Sequence, residues 1–109
     1  MTLTTTPGWD LEITALRQPA GIQLCGEIDV GTLPELELAL ELLADHPGDI
    51  VVDVRGLTFI DVSGARLLAR TAMRLRPAGR CVRLRAVSPF VRQVLTLLGW
   101  AELFEFERF

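Results

Sequence analysis

One short segment concentrates most of the chemistry available to this chain: Phe59-Ile-Asp-Val-Ser-Gly64. It places a carboxylate and a hydroxyl two residues apart, between an apolar run and the start of a helical pattern. In an open α/β sheet, the loop at the carboxyl end of a strand is the usual place for a site. A helix N-terminus there adds unbonded N–H groups and a partial positive charge. Asp and Ser ahead of a helix are also its most ordinary caps, so on these residues alone plain capping by Asp61 or Ser63 is the simpler account. Other constellations are weaker. The single histidine, His46, sits beside Pro47 at the expected end of a helix, with no nucleophile and acid arranged around it. The glycines form neither a phosphate-cradling loop with its lysine nor a dinucleotide fingerprint. Cys25 and Cys81 stand alone in apolar segments, without the paired spacing of a zinc or redox motif, and read as buried thiols. No catalytic residue, metal site or cofactor is expected, and the chain reads as a binding module rather than an enzyme.

Charge and composition narrow the partners. Half of the 109 residues are hydrophobic and 23% are charged, the balance of one globular domain spanning 1–109, with residues 1–8 expected as a flexible N-terminal segment. The net charge of -3 argues against nucleic acid, whose binding needs a positive patch. All 11 basic residues are arginine. Arg66, Arg70 and Arg74 recur every fourth residue on one expected helix, and Glu37, Glu41 and Asp45 do so on another. The two stripes are solvated faces or cross-helix pairs worth little at a surface or, more sharply, the arginine stripe extends a partner footprint governed by electrostatic matching. No apolar run approaches the roughly 20 residues of a membrane-spanning helix, and the N-terminus lacks the layout of a signal peptide. A cytoplasmic protein without membrane insertion is the expectation.

The elements that must position these residues follow from periodicity. Residues 9–17 alternate apolar and polar, Pro19-Ala-Gly21 turns the chain, and 22–26 continues as a second strand. Leu33, Leu36, Leu40 and Leu43 then mark a helix, with Thr32 and Glu35 at capping-box spacing and Pro47-Gly48 beyond its end. Residues 50–54 read as a central strand covered on both sides, 55–62 as a loop, and 63–75 as a helix ended by Pro77-Ala-Gly79. Residues 81–87 form a strand, Ser88-Pro89 opens a third helix closed by Gly99, and 103–106 adds a short strand. The order ββαβαβα(β) demands an α/β fold with a mixed, mostly parallel sheet of four to five strands and helices packed against it. Its expected core is Leu36, Leu40, Val52, Val54, Leu68, Val82, Leu84, Val94 and Leu98.

Three stretches carry a resemblance: Gly26-Glu-Ile-Asp29, Val51-Val-Asp-Val-Arg-Gly-Leu-Thr-Phe-Ile-Asp-Val-Ser-Gly64, and Val91-Arg-Gln-Val-Leu-Thr-Leu-Leu-Gly-Trp-Ala-Glu-Leu-Phe104. Over nearly its whole length the chain resembles the STAS domain family, and within it the bacterial anti-sigma factor antagonists. In that family the middle stretch usually reads Asp-Ser-Ser-Gly or Asp-Ser-Thr-Gly, and the residue before the glycine is the phosphoacceptor. The resemblance therefore implies that Ser63 is phosphorylated. Val62 departs from the pattern, removing a second hydroxyl and adding a β-branched neighbour. The resemblance further implies partner switching: the unmodified domain binds an anti-sigma factor that is also a serine kinase, phosphorylation releases it, and a serine phosphatase restores binding. Asp29, Asp61, Val62, Gly64, Arg66 and Arg70 form the expected partner-binding surface around Ser63. Two alternatives remain open in the same family, an accessory subunit of a membrane lipid or solute transporter and a small-ligand sensor domain.

Overall fold

The computed structural model describes residues 2–4 and 11–107. Six strands form one sheet in the order β1-β2-β3-β4-β5-β6: β1 Thr2–Thr4, β2 Leu11–Leu16, β3 Gly21–Ile28, β4 Ile50–Ile60, β5 Val82–Arg85 and β6 Phe104–Glu107. The pairings β1–β2 and β2–β3 are antiparallel, and β3–β4, β4–β5 and β5–β6 are parallel. Helices α1 Leu33–Ala44, α2 Val62–Leu75 and α3 Pro89–Leu97 make the crossovers. The mixed, mostly parallel α/β sheet expected from the element order is what the chain forms, with β1 as a further short strand at the β2 edge. The expected flexible segment therefore holds a paired strand at Thr2–Thr4, and its residues 1 and 5–8 lie outside the described residues.

Register separates the two faces. Ala15, Ile22, Val52, Leu84 and Phe106 lie side by side across β2 to β6, and the next row is Thr14, Gln23, Asp53, Arg85 and Glu107. Because side chains alternate along a strand, the first row meets the helices while the second carries charge. Arg83 pairs with Asp49 and Arg85 with Glu107, each at 3.3 Å, on that polar side. Ile22, Leu24, Val52, Leu84, Leu36, Leu40, Leu68 and Leu95 belong to one buried cluster. Val94 and Leu98, expected in the core, are only partly buried, because α3 turns Val91 and Leu95 inward instead.

Several local expectations are corrected. Residues 55–60 are strand and not loop, because β3 runs on alongside and continues to offer hydrogen bonds: Gly26 lies opposite Leu57 and Ile28 opposite Ile60. A register irregularity separates Gly26 from Glu27, and Gly26 adopts a φ of 114° that side chains rarely tolerate. The Thr32–Glu35 capping box does not form. The Thr32 hydroxyl accepts from the Asp29 N–H at 3.1 Å and donates to the Glu27 carbonyl at 3.2 Å, closing the loop ahead of α1, while Glu35 Oε2 is buried without a hydrogen-bond partner among the described residues. β5 is shorter than expected, ending before Ala86, whose φ is 60°. Past the end of α1, Arg80 donates to the carbonyls of Ala44, His46 and Gly48, which ties that turn to the start of β5; the His46 side chain is exposed. Cys25 and Cys81 are half-buried rather than buried. Burial and the neighbouring Glu105 and Asp49 carboxylates push the Cys81 thiol up to about 11, so it stays protonated and unreactive near neutrality.

Candidate functional site

The parallel pairing of Ile28 with Ile60 brings the carboxyl ends of β3 and β4 to one edge of the sheet. Asp61 follows directly, its N–H donating to the Ile28 carbonyl at 3.1 Å, and it is the N-cap of α2. Its Oδ1 accepts from the Gly64 N–H at 2.9 Å and from the Ser63 hydroxyl at 2.6 Å. Capping is thus real and falls to Asp61, which leaves Ser63 inside the first turn of the helix with its hydroxyl held by the cap. Burial pushes the Asp61 carboxyl upward. Hydrogen bonds from the Ser63 hydroxyl and from the N–H groups of Gly64, Ser63 and Val30 outweigh that, so it titrates below its ordinary value. Asp61 is therefore an anion at neutral pH, aimed at the half-buried serine.

The other expected residues divide. Asp29 lies in the neighbouring β3–α1 loop, but its Oδ1 accepts from the Gly31 N–H at 2.9 Å and shapes its own turn. That loop reaches the site through Val30, whose backbone N–H helps to hold the Asp61 carboxyl low. Val62 is 47% exposed and faces outward beside Ser63. Gly64, expected as a contact residue, is buried: a Cβ there would lie 2.4 Å from Ile28 Cγ2 and 3.0 Å from Ile60 Cγ1. Its role is to let the first turn of α2 settle onto the ends of both strands. Arg66 and Arg70 are exposed and line, with Leu33, Glu37, Ser63 and Leu67, a cleft of about 150 Å³ between α1 and α2. Arg74, Glu41 and Thr71 line its continuation. Among the described residues no ion pair joins Arg66, Arg70 or Arg74 to α1.

Sequence reasoning missed an apolar rim at the same edge. Val30 is 70% exposed, Phe59 40% and Phe90 46%, and the rings of Phe59 and Phe90 stack with centroids 6.3 Å apart. The signal was present in the alternation of β4, where an inward Ile60 turns Phe59 outward, and in Phe90 falling off the Val91–Leu95 stripe. What joins them is the adjacency of β4 and β5, which no local pattern states. Among the described residues no group of three or more His, Cys, Asp or Glu side chains could hold a metal ion, and no helix is long and apolar enough to cross a membrane.

Comparison with known proteins agrees with this geometry. A family model described as "Mlab, STAS domain" matches residues 11–105. A STAS-domain containing protein of Pseudomonas aeruginosa is 30% identical over 99 residues, covering 87% of this chain and 98% of its own length. Among solved structures, an anti-sigma factor antagonist from Mycobacterium paratuberculosis is 26% identical with a TM-score of 0.76, over 95% of this chain and 89% of that one. The unphosphorylated anti-sigma factor antagonist SpoIIAA, 18% identical, shares the fold with a TM-score of 0.69 over 89% of this chain and 87% of that one. So does a chain from the complex of the diguanylate cyclase SiaD with its activator SiaC from Pseudomonas aeruginosa, 16% identical, with a TM-score of 0.60 over 100% of this chain and 99% of that one. With a family model covering most of its length and its hydroxyl–carboxylate pair at the edge the sheet topology prescribes, this chain belongs to the STAS domain family.

Proposed function

We propose that the domain is an anti-sigma factor antagonist, a non-enzymatic protein-binding switch whose affinity for a serine-kinase anti-sigma factor is set by phosphorylation of Ser63, with a serine phosphatase reversing it. The observation that carries this reading is the Ser63 hydroxyl bonded at 2.6 Å to the ionised Asp61 beside the exposed Val62 and in reach of a rim of apolar side chains. A hydroxyl serving only as a cap would bond to a backbone N–H, as Ser88 does to Val91 at 3.2 Å. Here the carboxylate does the capping and orients the hydroxyl. Exposed aromatic side chains around it are the kind of anchors that protein interfaces bury. The likeness to two solved anti-sigma factor antagonists supports the choice of partner. The same fold also occurs in a complex that contains a diguanylate cyclase, so the fold alone does not choose; Ser63 and its surroundings are what support the antagonist reading.

A phosphate on Ser63 pressed against the partner would be desolvated without a counter-charge from that partner, a cost of about 2–5 kcal/mol or some 30- to several thousand-fold in affinity. Calorimetric titration against the cognate kinase should find Ser63→Ala binding as tightly as the unmodified protein and resisting modification. Ser63→Glu and the phosphorylated form should bind weakly. Equal affinities for all forms, or phosphate mapping by mass spectrometry to another residue, would rule the mechanism out, and recovery of a transporter ATPase in place of a kinase would favour the accessory-subunit reading.

A further inference from the structure

We infer that the phosphoryl group on Ser63 has a receiving site within the domain itself: the Arg66 and Arg70 guanidinium groups in the cleft between α1 and α2. The inference rests on the reading of Ser63 as the acceptor and adds what the modification does to its own surface. Ser63, Arg66 and Arg70 line one cleft with Leu33, Glu37 and Leu67. Its volume of about 150 Å³ is an order of magnitude above the roughly 10–15 Å³ one water requires, so a phosphoryl group enters without displacing the helices. Side chains on a helix lean toward its N-terminus, so Arg66, one turn beyond Ser63, leans back over it and Arg70 follows along the same face. Neither guanidinium has an ion-pair partner among the described residues, so neither must leave one.

Charge decides the direction of movement. In the unmodified protein the hydroxyl donates to Asp61, but a phosphoryl group has no such proton to give and is repelled by that carboxylate. The nearest compensating charges are the two arginines, whose planar forks match phosphate oxygens bidentately. Glu37, across the cleft on α1, is the one opposing charge in its lining. The switch then has two parts at once: a phosphate is added, and two cations are withdrawn from the outer face of α2 where a partner would meet them.

The test uses the full chain with phosphoserine installed at position 63 during translation, so that no kinase is needed. Phosphorus NMR titration reads the second ionisation of the phosphate, which is about 6 when unperturbed. With both arginines present it should fall by about one unit, and in Arg66→Gln/Arg70→Gln it should return toward the free value. Glu37→Gln should lower it further. These residues are exposed, so circular dichroism should report the same fold in every variant. An unperturbed titration, or a lowered one indifferent to the arginines, overturns the receiving site. Failure of Ser63 as the natural acceptor would appear separately, as phosphate mapped elsewhere after treatment with the cognate kinase, and would leave the titration unchanged.

Discussion

Asp61 is the residue on which most of the site turns. It bonds backward to β3 through its N–H, forward to Gly64 through Oδ1, and sideways to Ser63 through the same oxygen. Its carboxyl is lowered in the folded state, so the stability it contributes is complete above the ordinary carboxylate value of 3.8 and is lost as pH falls through the lowered one. Asp49 behaves in the same direction, held by the Cys81 N–H and, despite partial burial, by Arg83. Asp61→Asn should therefore show a shallower loss of stability in denaturant titrations run from about pH 5 down to about pH 2, with the slope due to Asp49 remaining. An acid profile identical to that of the unsubstituted protein would mean that Asp61 titrates alike in folded and unfolded chains. The pairing of Asp61 with Ser63 was foreseeable from their spacing. Which of them caps was not, because both residue types cap well and only the extended backbone of Asp61, at φ -95° and ψ -179°, decides it.

At the scale of elements, α2 is placed by what its first turn lacks. Gly64 has no side chain where Ile28 and Ile60 press against the helix. In an exposed helix, replacing glycine by alanine is favourable by about 1 kcal/mol. Here the added methyl collides with β-branched side chains at the ends of two central strands, and overpacking of that kind costs about 1–3 kcal/mol. Gly64→Ala should thus lower stability in thermal or urea unfolding and weaken partner binding by displacing Ser63. A neutral or stabilising result would show that the strand ends yield. The third helix illustrates the opposite case, in which local signals suffice: Ser88 accepts from the Val91 N–H, Pro89 opens the helix, and Gly99 leaves it with a φ of 78°. The extension of β4 to Ile60 had no comparable local mark, because Gly56 and Thr58 resemble loop residues until β3 is laid beside them.

Across the whole molecule, helices α1 to α3 and strands β2 to β6 share a single buried cluster, so damage at its centre should be felt everywhere at once. Leu68 is fully buried on α2 within that cluster, and Leu68→Ala should cost about 2–5 kcal/mol, a large part of the 5–15 kcal/mol typical of such domains. Hydrogen exchange should then accelerate in β2 through β5 together; acceleration confined to α2 would show a subdivided core. From β2 onward the strand and helix order, and with it the α/β class, were already determined by the linear pattern, because periods of two and near four are local consequences of backbone geometry. Ser63 was singled out by the family resemblance of its segment, and not by periodicity, which left plain capping by Asp61 or Ser63 as the simpler account. Tertiary structure alone decided that Val30, Phe59 and Phe90 share an edge with it, that Gly64 is buried, and that Arg66 and Arg70 face Glu37 across a cleft. Those facts depend on which strands lie side by side and which helices touch, and such contacts join residues far apart in the chain whose types carry no mark of one another.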